Sequence, residues 1–301
     1  QTNDKRAWNL YKKLCQQDLV PMRVYLTIFH DELDKDYIPK PKETFGKLLE
    51  CHRVKIISDG SLGAKTASMR DPYVGTKDEH GMLLYDQDKL TSIVSKIITR
   101  GYRLEVHAIG DRAAEAVLTA FEDAGVKPED RPILTHCQIL GRDLIDRMKK
   151  LNVVANIQPQ FVTTDSAWVH KRVKDDVLPY SYAWKTLMDE GIVCAGGSDA
   201  PIEIPTPFTG MHAAIFRYEE NTTKSWRPQE CLSFAEALYI YTEGAAYAAC
   251  EEHRLGKLEP NYQADFIVVD THVHEHPEKL RDAKVEQVWI AGKKVYALNK
   301  N

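Results

Sequence analysis

The chain has 301 residues, 43% of them hydrophobic, and a formal net charge of −4 from 40 basic and 44 acidic side chains. That length is ample for a large core, and the interspersed charges leave no basic surface of the kind nucleic acid selects. No apolar run approaches a membrane span, and six scattered cysteines without a CxxC spacing argue against a disulfide framework or a zinc knuckle and fit a reducing, cytoplasmic setting.

The first residue is Gln1, and "KRAWNLYKKLCQQDL" (5–19) already reads as an amphipathic helix, so the expectation is the downstream part of a longer polypeptide. "MRVYLTIF" (22–29) and "RVKIISDG" (53–60) read as strands from their β-branched and aromatic content. "DKLTSIVSKIITRG" (88–101) has helical spacing at Leu90, Ile93, Val94 and Ile97 and ends on a glycine. Then come "RLEVHAIG" as a strand, "DRAAEAVLTAFEDAG" as a helix, "PILTHCQ" as a strand and "GRDLIDRMKKL" as a helix. "NVVANIQP" is a strand, a helix is expected over 181–190, and "IVCAGGSDAP" is a strand. The Pro- and Thr-rich stretch 201–229 reads as a loop with a short helix at 211–218, and "SFAEALYIYTEGAAYAAC" (233–250) as one long capped helix.

Repeated strand-then-helix units imply a parallel sheet covered by helices. A doubly wound sheet and a (β/α)8 barrel compete. No glycine-rich phosphate loop follows any strand, which disfavours the first. Six strands precede residue 200, so a barrel would need two more before residue 1. Past residue 251 the texture changes. "GKLEPNYQADFIVVD" and "VEQVWIAGKKVYA" read as two antiparallel strands of a small β appendage, which gives an expected barrel over 1–250 and an appendage over 251–301.

In a barrel of this kind, active-site groups lie at the carboxyl ends of the strands. Lys55 lies within the second strand and Asp59 ends it. His107 ends "RLEVHAIG", His136 ends "PILTHCQ" and Asp199 ends "IVCAGGSDAP". Singly, each has an ordinary reading: a hydrogen-bonded core histidine, a helix-capping aspartate, a lysine whose amine reaches water. Jointly they point elsewhere. Buried ionisable groups are costly unless paired or metal-bound, and imidazole with carboxylate is the donor set of zinc and similar ions.

The series "VKIISDGSLGAKTA", "VHAIGDRA", "THCQ", "GGSDAPIE" and "GKLEPNYQADFIVVD" resembles the amidohydrolase superfamily, most closely its amidohydrolase-3 branch. The resemblance implies a metal-dependent (β/α)8 TIM barrel, about six of whose strands are present, with a small β-sandwich. It implies His107 and His136 as metal ligands, and Asp199 as a ligand and general base. Lys55 would be the lysine that is carbamylated in many members. A divalent metal, with zinc as the expected ion, is the implied cofactor. Asp59, Gly60, Ser61 and Gly63 match a signature loop shaping the substrate pocket, and Asp111 matches the "GD" after the fifth strand, with a helix cap as the equal alternative. Arg70 is a candidate for a substrate carboxylate, with a surface arginine as the alternative.

The family's first-strand His-x-His is not upstream. "THVHEH", with His272, His274 and His276, resembles it, but the next strand follows within ten residues and leaves no room for a crossover helix, so it reads as a surface loop. Trp168, Trp184 and Trp226 read as core or surface packing residues, with pocket lining as the alternative. The expected activity is hydrolysis of a non-peptide C–N bond in a small amide-like substrate. The rivals are a catalytically incomplete barrel that binds or regulates, and an isomerase or deacetylase-like activity on the same scaffold. A homo-oligomer is left open, and no nucleic-acid or membrane partner is expected.

Overall fold

The computed structural model describes residues 2–20, 22–41, 43–45 and 48–298. In chain order the elements are β1 (Thr2–Asn3), α1 (Lys5–Gln16), β2 (Val24–Phe29), β3 (Glu43–Phe45), β4 (Leu49–Ile57), α2 (Gln87–Thr99), β5 (Arg103–Ala108), α3 (Asp111–Asp123), β6 (Ile133–His136), α4 (Arg142–Lys150) and β7 (Val154–Ile157). There follow α5 (Phe161–Asp165), α6 (Trp184–Asp189), β8 (Cys194–Gly196), α7 (Pro207–Phe216), α8 (Phe234–Tyr241), α9 (Glu243–Ala248), β9 (Phe266–Val269), β10 (Val285–Ile290) and β11 (Lys293–Ala297). Two compact units result, one of residues 1–156 with 168–192 and the other of 157–167 with 193–301.

The first unit is built on a parallel half-barrel sheet of six strands in the order β1-β2-β4-β5-β6-β7. Leu26, Ile28, Val54, Ile56, Leu104, Val106, Leu134 and Val154 are buried in it, which is why these strands are near-continuous apolar runs. The helices follow the expected spacing. α2 buries Leu90, Ile93, Val94 and Ile97, and Asp86 caps it by accepting from the Lys89 amide at 2.8 Å. β3 was not expected; it lies antiparallel on the lower half of β4. Three thiols, Cys51, Cys137 and Cys194, are fully buried, and burial pushes the thiols of Cys51 and Cys194 up to about 12.

In the second unit, Gly197 next to β8 donates its amide to the Ile157 carbonyl at 2.8 Å. The helix expected over 233–250 is two helices, α8 and α9, broken at Thr242 (φ −125°, ψ −91°). The break lets α9 lie directly on β8, where a Cβ at Gly244 would fall 2.1 Å from the Cys194 carbonyl oxygen. The C-terminal piece expected as one strand is a hairpin, β10 and β11, reversing at Ala291 and Gly292 with φ of 51° and 74°. Two successive positive φ values make the tight turn whose twist suits antiparallel strands. With β9 the hairpin forms a three-stranded antiparallel sheet. His272, His274 and His276 are exposed on the turn before β10, beside Glu275 and Glu278. Among the described residues no helix is long and apolar enough to cross a membrane.

Candidate active site

The site begins with two strand ends. Register pairs Ile57 of β4 with His107 of β5, and Ala108 of β5 with His136 of β6. The two imidazoles meet edge to face, with ring centroids 4.5 Å apart and planes at 77°. His136 and Cys137 turn the chain out of β6 with φ of 85° and 48°, a region that bulky residues rarely occupy. Strain of this kind is held where the surrounding structure over-determines it.

His107 is oriented by the loop after β4. Its Nε2 lies 3.0 Å from the Gly60 carbonyl oxygen and 3.1 Å from Asp59 Oδ1. A carbonyl oxygen can only accept, so Nε2 carries a proton, and in the neutral ring Nδ1 then holds the lone pair. The Asp59 side chain has no exposure. Its Oδ2 accepts from the amides of Ser68 and Gly110, both at 2.9 Å, and Oδ1 from that of Ile109 at 3.1 Å. Two glycines make this closeness possible. A Cβ at Gly60 would sit 2.1 Å from Thr66 Oγ1, and one at Gly110 would sit 2.0 Å from the Ser68 carbonyl oxygen.

One step down the strands lies a buried polar layer. Lys55 Nζ donates to Glu105 Oε1 at 2.8 Å and to Thr135 Oγ1 at 3.1 Å, while Thr27 Oγ1 donates to Glu105 Oε2 at 3.1 Å. Burial alone would raise the Glu105 carboxyl, but the Lys55 ammonium, by charge and hydrogen bond, overrides it and holds the group at about 2. Glu105 escaped the sequence reading. Its signal was there: a carboxylate two positions before His107 on an otherwise apolar strand, facing a lysine on the neighbouring one.

The other candidates are placed as follows. Asp111 opens α3, and its Oδ1 accepts from the amides of Arg70 at 2.8 Å and Arg112 at 2.9 Å; burial raises its carboxyl above the usual range. The Arg70 guanidinium is engaged by Glu115 at 3.0 Å and, through both terminal nitrogens, by Asp143 at 2.7 and 3.1 Å. Trp168 packs near Gly63 and carries Arg172 over its ring, and Trp184 is buried. The first unit thus brings together Asp59, Gly60, His107, His136, Asp111 and the Arg70 backbone, with Lys55 in the layer below. Asp199 belongs to the second unit, exposed at a turn after β8 with φ of 53°. Among the described residues no three His, Cys, Asp or Glu side chains are grouped to hold a metal ion. His107 and His136 nevertheless fit one as neighbouring imidazoles at adjacent strand ends, the first with Nδ1 available by tautomer.

A parallel half-barrel sheet with histidines at successive carboxyl ends is the architecture of barrel-type metal-dependent hydrolases. A solved metal-dependent hydrolase from Pyrococcus furiosus matches over 86% of this chain and 53% of its own, at 31% identity and a TM-score of 0.76. The model of the amidohydrolase family matches residues 1–296, and the chain belongs to that family, in its amidohydrolase-3 branch. YtcJ of Bacillus subtilis strain 168 is 35% identical over 289 residues, 95% of this chain and 54% of its own length. The N-substituted formamide deformylase of Arthrobacter pascens is 24% identical over 72% of this chain and 41% of its own. The chain therefore spans about half the length of the curated relatives it matches.

Proposed function

We propose that this chain serves the hydrolysis of a non-peptide C–N bond in a small amide-like substrate, with Asp199 as general base. The observation that carries the reading is the His107–His136 pair at adjacent strand ends of a chain in the amidohydrolase family. His107, through Nδ1, and His136 hold a divalent metal, zinc in this proposal. When bound, such an ion polarises a substrate carbonyl and acidifies water. Asp199 takes the proton of the attacking water and delivers it to the departing nitrogen, so that the amine leaves neutral. Asp59, Gly60, Asp111 and Arg70 serve the substrate pocket by fixing the loop around it.

Lys55 enters this proposal conditionally on charge. Carbamylation joins Nζ to the carbon of CO2, releases two of the three ammonium protons and leaves a carboxylate. That anion would face Glu105, now 2.8 Å from Nζ, and two carboxylates so close repel. The carbamate form therefore requires a cation between them, whereas the ammonium form satisfies Glu105 by itself. The second reading is a barrel of the same family that binds ligand without turnover.

The test combines zinc titration with a panel of N-formyl and N-acyl amines. The expected result is zinc uptake lost in His107→Ala and His136→Ala, and turnover reduced about 10²- to 10⁴-fold in Asp199→Asn. An Asp199→Asn chain that keeps its full rate removes the general base. Zinc uptake with no turnover across the panel favours the second reading.

A further inference from the structure

We propose that Asp59 is the positioning residue of this site: its carboxylate holds together the loop after β4 and the start of α3, the frame from which the Gly60 carbonyl takes the His107 Nε2 proton and fixes the tautomer of that ring. The proposal rests on the reading of His107 as a metal ligand and adds what prepares it.

An ionised carboxylate offers about four lone-pair sites. Asp59 Oδ1 accepts from the Ile109 amide at 3.1 Å, and Oδ2 from the Ser68 and Gly110 amides at 2.9 Å. Its side chain is fully buried, and Oδ1 also lies 3.1 Å from His107 Nε2. The hydrogen bond of that nitrogen goes to the Gly60 carbonyl at 3.0 Å, next in the chain after Asp59. The three amides lie at sequence separations of 9, 50 and 51. One group thus sets the loop at Ser68 and the turn that starts α3, and with them the carbonyl that meets the ring ending β5. An acceptor on one imidazole nitrogen fixes the ring and makes the other nitrogen a better donor, which is how outer groups tune metal ligands.

The first measurement needs no variant. Long-range ¹H–¹⁵N correlation on metal-free protein above pH 8, with the His107 signals assigned by their loss in His107→Gln, reports the tautomer directly. A single Nε2–H form is expected; an Nδ1–H form or a fast mixture overturns the proposal. The second measurement is zinc affinity of Asp59→Asn, which keeps the shape but places an amide NH₂ against a set of donors. A 10- to 100-fold loss is expected. A folded Asp59→Asn chain with wild-type zinc affinity makes Asp59 a loop brace only and overturns the proposal. If Asp59→Asn does not fold, an Nδ1–H form in the unaltered chain still overturns the proposal. His136→Ala separates the two readings. Unchanged zinc binding in that variant counts against the metal assignment, while the His107 tautomer in it continues to report on the frame that Asp59 holds.

Discussion

Lys55 and Glu105 illustrate how much a single buried pair commits a chain. Both side chains are about nine-tenths buried, and each is the other's counter-charge. Removing one partner strands the other, so Glu105→Gln should cost about 3–5 kcal/mol in urea unfolding. The double replacement Lys55→Met with Glu105→Leu should be near neutral or stabilising, because desolvation of both charges disappears. At this scale the histidines were legible, since a ring at the end of an apolar strand stands out in the sequence. Glu105 was less legible because it lies inside a strand and its meaning depends on a neighbour 50 residues away. The role proposed for Asp59 could not be read at all. Its three hydrogen-bond partners are backbone amides, and backbone amides have no letter in a sequence.

Elements were legible where periodicity was long. α2, α3 and α4 lie where their apolar spacing puts them, because each buries one continuous stripe. The break at Thr242 was hidden because the sequence on both sides keeps helical character; only packing of Gly244 against β8 demands it. The Ala291-Gly292 reversal was hidden for another reason, an alanine at a positive φ that its residue type does not announce. α8 starts in a capping box in which Ser233 Oγ accepts from the Glu236 amide at 3.2 Å and Glu236 accepts from the Ser233 amide at 2.8 Å. Ser233→Ala should cost about 1 kcal/mol in the same unfolding assay.

α7 carries a pH sensitivity of its own. His212 is buried against Phe216 and Tyr218, and desolvation, with Arg281 adding repulsion, lowers its imidazole to about 4. Asp282 opposes that shift without reversing it. A depressed folded value means the unfolded chain takes up the proton first as pH falls. The stability is therefore intact above about 6.5 and declines from there to about 4, by up to roughly 3 kcal/mol. His212→Phe should flatten that part of the stability–pH curve; a slope unchanged in the variant assigns it to other groups.

At the scale of the molecule, ligand binding and stability are one measurement. If the His107–His136 pair takes zinc, free zinc at about 100 times its dissociation constant should raise unfolding free energy by about 2.7 kcal/mol. A thermal shift should appear and should vanish in His107→Ala. The parallel sheet was legible at this scale because strand and helix signals alternate along the chain up to β8. The division into units was not, because it joins 157–167 to residues beyond 193, and only tertiary contact makes that join.

The buried thiols supply a built-in clock for each unit. Cys51 lies in the first and Cys194 in the second, both fully inaccessible, whereas Cys15, Cys231 and Cys250 are partly exposed. An alkylating reagent needs both access and a thiolate, and burial withholds the two together. Mass-resolved labelling at Cys51 and Cys194 then times the opening of each unit separately, in the unaltered chain and without any attached probe.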